Sequence, residues 1–192
     1  MIRLLVTFIA FAIAFSAQAA ELGDDGLYKP AWLRETSKDF RQDSDAARKE
    51  EKLLLLLIEQ RGCIYCKKMH EEVFTDERVK TLLEEEFFPI QINLLGDTLL
   101  VDTDGETLSE KDASAKWGAY STPTIMALQP ELNTTMSASQ QAVAIMRGAF
   151  PTETTLTLLT HLVAWFEEEG HLDQSGEDFP SYYRRKMKAE ES

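Results

Sequence analysis

The stretch from Leu53 to Val73 reads LLLLLIEQRGCIYCKKMHEEV, and its reading decides the fold. The run Leu53 to Ile58 is too short to span a bilayer and has no helical periodicity. It therefore reads as a strand buried on both faces. After Glu59-Gln60-Arg61-Gly62, Cys63 and Cys66 open a segment rich in helix formers, Lys67, Lys68, Met69, Glu71 and Glu72. Positions i and i+3 of a helix stand about 5–6 Å apart at Cβ, close enough for two cysteines to close a disulfide with little backbone movement. At the helix start, Cys63 faces unpaired backbone N–H groups and the positive end of the helix dipole. Both favour a thiolate, the form that attacks disulfides.

Two other uses of such a pair have to be weighed. A zinc site needs four ligands. The chain has two cysteines in all, and His70, His161 and His171 fall outside the usual ligand spacings, so no metal is expected. A purely structural bridge closing so small a ring would constrain little of the unfolded chain. Redox chemistry is the reading adopted, with no cofactor beyond a Cys63–Cys66 disulfide.

Upstream, Met1-Ile2-Arg3 and an apolar segment lead to Ser16-Ala17-Gln18-Ala19-Ala20, the pattern of a secretory signal peptide over residues 1–19. A transmembrane anchor is the alternative. Cleavage before Ala20 would leave about 170 residues in an oxidising compartment, enough for one domain with a core. The whole chain carries 20 basic and 33 acidic residues, a net charge of −13. That balance argues against nucleic acid and anionic lipid as partners.

Working outward, residues 21–33 look irregular, and the mixed charges of Asp45 to Glu50 suggest a helix reaching Lys52. Thr75-Asp76 can cap a further helix through Glu86. Phe87 to Leu94 reads as a second strand with Pro89 near its start. Leu99 to Leu108 reads as a hairpin turning at Asp104-Gly105. Its Asp102-x-Asp104-Gly105 is similar to a calcium loop, but the glycine comes too early for that motif. Glu110 to Trp117 reads as a helix stopped by Gly118. Thr124 to Leu128 and Ala142 to Met146 read as the last strands, and Thr152 to Glu168 as an amphipathic helix. In the tail from Gly170, Tyr182, Tyr183 and Met187 suggest a helix folded back on the body, with docking of its basic cluster to an acidic partner as the alternative.

This order of elements, with the Cys-x-x-Cys pair and the segment Lys116-Trp117-Gly118-Ala119-Tyr120-Ser121-Thr122-Pro123-Thr124, resembles thioredoxin. The resemblance covers roughly Leu53 to Phe166. It implies an α/β thioredoxin fold, with a central mixed sheet of four to five strands flanked by helices, a hairpin insertion and a C-terminal tail. The expected organisation is a signal peptide (1–19), an N-terminal extension with a helix (20–52), the thioredoxin-like domain (53–169) and the tail (170–192).

The resemblance also implies roles. Cys63 would attack and Cys66 resolve. Pro123 would be cis, opposite the sulfurs, exposing the backbone of Thr122 to an extended peptide, and the Thr122 hydroxyl would shape the sulfur environment. Gly148 falls where the family keeps a glycine near the site. Tyr65 would tune exposure at the dipeptide and line the substrate surface, as a packing residue rather than an acid.

One departure concerns protons. The family places a buried Asp six residues before the first cysteine, and here Leu57 stands there. Glu59 could substitute, although a solvated carboxylate at the strand end is the expectation. His70, one turn beyond Cys66, is expected as an ordinary, partly buried histidine, with proton transfer as the alternative.

Cys63-Ile64-Tyr65-Cys66-Lys67-Lys68-Met69-His70 is also similar to exported Dsb-type reductases and isomerases, and the whole pattern looks most like thioredoxins of bacterial sulfur-oxidation (Sox) clusters. This implies a periplasmic, monomeric thiol–disulfide oxidoreductase. It would reduce disulfides of exported partner proteins, with a membrane thiol transporter as electron donor. A disulfide isomerase or a non-catalytic thiol or metal carrier is the alternative; roughly thirty residues before Leu53 do not supply the dimerisation domain of Dsb isomerases.

Overall fold

The computed structural model describes residues 20–129, 131–168 and 177–190. The expected signal peptide 1–19, with its Ala17 and Ala19 cleavage site, and residues 169–176 lie outside them. The elements run β1 (Glu21–Leu22), β2 (Tyr28–Lys29), α1 (Phe40–Lys49), β3 (Leu53–Glu59), α2 (Ile64–Lys68), a π-helical turn (Met69–Val73), α3 (Glu77–Glu85), β4 (Phe87–Asn93), β5 (Leu99–Val101), β6 (Thr107–Ser109), α4 (Glu110–Lys116), β7 (Thr124–Leu128), β8 (Ala142–Arg147), α5 (Thr152–Glu168) and α6 (Phe179–Glu190).

The leucine run is β3, and every one of its residues is buried. It lies inside a four-stranded sheet of order β4-β3-β7-β8. It runs parallel to β4, from Leu53 opposite Phe87 to Glu59 opposite Asn93, and antiparallel to β7, from Leu54 opposite Leu128 to Ile58 opposite Thr124. Side chains alternate across a strand. Leu53, Leu55 and Leu57 thus join Met69, Leu83, Leu159 and Trp165 on one face, while Leu54, Leu56 and Ile58 join Phe40, Leu100 and Trp117 on the other. Two covered faces explain why the run shows no alternation.

The helices start on side-chain caps. Asp39 accepts from the Arg41 N–H, Asp76 from the Arg78 N–H and Ser109 from the Asp112 N–H. The hairpin β5–β6 turns through Gly105 at φ +88, a backbone region glycine enters without steric cost. Its acidic residues are paired within the chain. The Lys116 ammonium donates to Asp102 (2.9 Å), Asp104 (2.6 Å) and Glu106 (2.9 Å). Buried Asp102 also accepts from the Trp117 indole at 3.0 Å and the Ala138 N–H at 3.0 Å, so the hairpin holds the end of α4 and the turn that leads into β8. Burial opposes the Lys116 charge, but these three bonds outweigh it and raise the ammonium above the ordinary lysine range.

Two features differ from the sequence reading, and a third, the fold-back of the tail, agrees with it. Residues 21–33 are not irregular throughout. They hold the β1–β2 pair and bury Leu27 and Trp32, because the Gly23 N–H closes a turn on the Leu27 carbonyl. The redox helix is not α-helical to its end: it widens into a π turn in which the Phe74 N–H donates to the Met69 carbonyl at 2.8 Å. The described part of the tail, α6, folds back on α5. Tyr182 is fully buried there, and Glu177 accepts from the Trp165 indole through its carbonyl at 2.7 Å. Of its basic side chains, Lys186 meets Glu168 of α5, while Arg185 pairs within the tail with Glu177. Among the described residues, no helix is long and apolar enough to cross a membrane.

Candidate active site

The sheet order brings three chain turns side by side at one end: the exit of β3, the entry to β7 and the exit of β8. At the first, Gly62 takes φ +73 and turns the chain so that Cys63 caps α2. Cys63 and Cys66 are joined as a disulfide, with Cα atoms 5.2 Å apart. The Cys66 N–H donates to the Cys63 Sγ at 3.0 Å. Cys66 is 2% exposed, whereas Cys63 is half-buried and flanked by exposed Ile64. One sulfur is thus presented and the other covered.

At the second turn, the Thr122–Pro123 peptide bond is cis. The Thr122 hydroxyl donates to the Cys63 Sγ at 3.2 Å, and the Thr122 carbonyl oxygen lies 3.5 Å from the same sulfur. The Thr124 hydroxyl fastens the loop from inside by donating to the Ser121 carbonyl at 2.8 Å. At the third, Gly148 (φ +95) donates its N–H to the Pro123 carbonyl at 2.8 Å. Cys63, Cys66, Thr122, Pro123 and Gly148, distant in sequence, therefore form one site.

Tyr65 belongs to this surface but not as a packing residue: it is 59% exposed, because α2 turns it away from both core faces. Tyr120, which the sequence reading passed over, is 79% exposed on the loop leading to Thr122. Lys67 and Lys68 are solvent-facing, close to Glu71 (3.6 Å) and Glu72 (3.8 Å) one turn on.

Glu59 overturns the expectation of a solvated carboxylate. It is 1% exposed, because β3 keeps its pairing with β4 through Asn93 and the Leu94 N–H closes on the Glu59 carbonyl at 2.7 Å. Its Oε1 lies 2.9 Å from Nε2 of His70, which is 2% exposed rather than partly buried. With Glu59 ionised, Nε2–H is the donor. The Gln91 amide donates to the other carboxylate oxygen at 2.7 Å and to the Tyr28 carbonyl at 2.9 Å. The N-terminal segment roofs this pair: Tyr28 stacks on His70 at 4.6 Å between ring centroids, and Trp32 lies parallel to it at 6.4 Å.

Gln91, Tyr28 and Trp32 were missed from sequence. The available signals were a lone polar residue inside the apolar strand FFPIQIN and two aromatics in a segment otherwise reading as coil. Among the described residues, no three His, Cys, Asp or Glu side chains gather as metal ligands.

A mixed four-stranded sheet with flanking helices, ending in a Cys-x-x-Cys helix tip opposite a cis-proline loop, is a thioredoxin fold, and its vicinal sulfur pair makes the chain a thiol–disulfide oxidoreductase. Residues 40–161 match the model of the thioredoxin-like domain family, and the chain belongs to that family. The match takes in α1. A thioredoxin-fold protein from Helicobacter pylori is 15% identical, with a TM-score of 0.50 over 77% of this chain and 99% of that one. A thioredoxin from Thermus thermophilus is 20% identical, with a TM-score of 0.52 over 69% of this chain and 92% of that one. At such identities these likenesses speak for the fold alone. Comparison with curated protein sequences gives no match.

Proposed function

We propose that this chain is an exported, periplasmic reductase that opens disulfides of other exported proteins, of the kind found with sulfur-oxidation clusters. The observation that carries the reading is the unequal exposure of the two sulfurs beneath Thr122, which suits a partner reaching Cys63 alone.

In the dithiol form, the Cys63 thiolate attacks one sulfur of the partner's disulfide. That S–S bond breaks, a mixed disulfide forms, and the departing partner thiolate takes up a proton. Cys66 then loses its proton and attacks Cys63 in the mixed disulfide. The Cys63–Cys66 bond forms and the second partner sulfur leaves as a thiolate that is protonated in turn. Two electrons have passed from the dithiol to the partner, and a dithiol donor, proposed as a membrane thiol transporter, restores the pair.

The Cys66 N–H and the Thr122 hydroxyl both point at the Cys63 sulfur and stabilise negative charge there. Glu59, with His70 as its bonded partner, serves as the proton acceptor when Cys66 is activated, in place of the aspartate that Leu57 replaces. Thr122, beside the cis bond and 8% exposed, offers its backbone to an extended partner segment, a pairing that gives affinity with little demand on sequence.

Insulin reduction under dithiothreitol tests the activity, with turnover expected to vanish in Cys63→Ser. A Cys66→Ala variant should accumulate mixed disulfides with exported proteins. Stoichiometric metal binding without turnover would instead support a carrier.

A further inference from the structure

We infer that Lys29 is a positioning residue for the proton acceptor: acting through Gln91, it holds Glu59 in the form that can take a proton from Cys66. The inference rests on the acceptor role proposed for Glu59 and extends the redox machinery into the β1–β2 segment.

Among the described residues, two side chains bond to the Glu59 carboxylate. His70 Nε2 lies 2.9 Å from Oε1, and the Gln91 amide donates to Oε2 at 2.7 Å. Which end of the amide faces Glu59 is decided from the other side. The Lys29 ammonium donates to Gln91 Oε1 at 2.6 Å. An ammonium carries donors only, so it keeps the amide oxygen on its own side and leaves the amide N–H groups to Glu59. The Tyr28 carbonyl accepts from the same amide nitrogen at 2.9 Å, and the Asp25 carboxylate holds the Lys29 ammonium at 2.6 Å.

That orientation suits a carboxylate and not a carboxylic acid. The acid form carries an O–H that needs an acceptor, and an amide whose oxygen is engaged by Lys29 offers none. The other His70 tautomer would supply an acceptor at Nε2. It would also place a proton on Nδ1, which is buried and has no hydrogen-bond partner among the described residues. The lock thus favours the anion before the transfer and the return of the proton to solvent after it.

Solvent reaches this point from the β4 side. Gln91 is half-buried and, with Lys29, lines a cavity of about 680 Å³. The other charged groups there are Asp25, Arg34, Glu35, Lys38, Asp97 and Glu110. Asp25 is paired with Lys29, Arg34 with Glu50 and Lys38 with Glu110, while Glu35 and Asp97 are exposed. On the other side stand His70 and the Tyr28 ring stacked on it.

Lys29→Met removes the ammonium and frees the amide to turn its oxygen toward the acid form. A hydrogen bond gained by one protonation state raises its population about two- to tenfold. Ionising Glu59 then needs a higher pH, and the acid-side midpoint of the Cys66 step should rise by about 0.3–1 unit. Below it the variant is slower than the parent; well above it the two coincide.

The test mixes the full chain in its dithiol form with the aromatic disulfide dithiobis(nitrobenzoate) in a stopped-flow instrument, across the acid and neutral range. The first nitrobenzoate thiolate released reports attack by Cys63, and the second reports closure by Cys66. Lys29→Met should leave the first phase as it is and shift the second, and Lys29→Arg, which supplies a donor again, should restore it. In a Gln91→Met background there is no amide to turn, so adding Lys29→Met should cause no further shift. An unshifted second phase in Lys29→Met, or the same shift in the Gln91→Met background, would overturn the inference. A second phase unaltered in Glu59→Gln would overturn the acceptor role and the inference with it. The lack of any second phase in the parent protein would overturn the reductase reading itself.

Discussion

Glu59 and His70 stand eleven residues apart in the chain and 2.9 Å apart in space, each side chain 1% exposed. An acid–imidazole contact this deep is costly to maintain unless its members are bonded, and Gln91 completes the bonding of the carboxylate. His70 stands one helical turn beyond Cys66, so the proposed proton acceptor Glu59 is bonded to a side chain of the redox helix itself.

Glu59→Gln keeps the shape and the hydrogen-bonding capacity but cannot take a proton. Insulin reduction near pH 7 should fall by about a hundredfold or more, the lower edge of what a general base contributes. Unfolding measured by circular dichroism should change much less. Equal turnover across the pH range would remove Glu59 from the mechanism.

Thr122→Val removes the hydroxyl that donates to the Cys63 sulfur at 3.2 Å while keeping the branched shape. A hydrogen bond to a charged group contributes about 1.5–3 kcal/mol. Alkylation of the reduced protein by iodoacetamide should therefore slow by at least tenfold near neutral pH. An unchanged rate would mean that the hydroxyl turns away once the disulfide opens.

Asp76 caps α3, and its hydrogen bond from the Arg78 side chain holds the carboxyl down at about 2. A depressed folded-state value means that the stabilisation is complete above the ordinary Asp range, near 4, and is lost as pH falls through about 2. Asp76→Asn retains a good capping side chain without the charge. Melting temperatures of the two proteins should thus differ most above pH 4 and converge as pH approaches 2.

Tyr182 anchors α6 from a fully buried position against the α5 side of the core. Tyr182→Ala should destabilise the protein by about 3–5 kcal/mol, the usual cost of emptying a large aromatic site. Urea unfolding provides the measurement. A loss below about 1 kcal/mol would mean that α6 contributes little to the stability of the body.

Much of this architecture was legible in the chain because the deciding signals are local. The leucine run announces a doubly covered strand, Asp104-Gly105 the hairpin, Gly118 a helix stop, and Pro123 a special turn at the right distance from Cys63. What escaped depends on contacts between remote segments. Glu59 is buried because residues 20–36 fold over the end of β3, and no local pattern around Glu59 encodes that roof. Tyr65 is exposed because of the direction in which α2 leaves the sheet, which aromatic character alone does not reveal. The π turn at Met69–Val73 likewise has no signature in a string of ordinary helix formers.

Lys116, at the end of α4, fills the acidic hairpin with its ammonium. A hairpin that draws its counter-ion from the helix that follows it needs none from the surroundings, so chelators and changes in calcium supply should leave its own geometry untouched. The hairpin is thereby held by a charge that travels with the polypeptide and cannot be washed out.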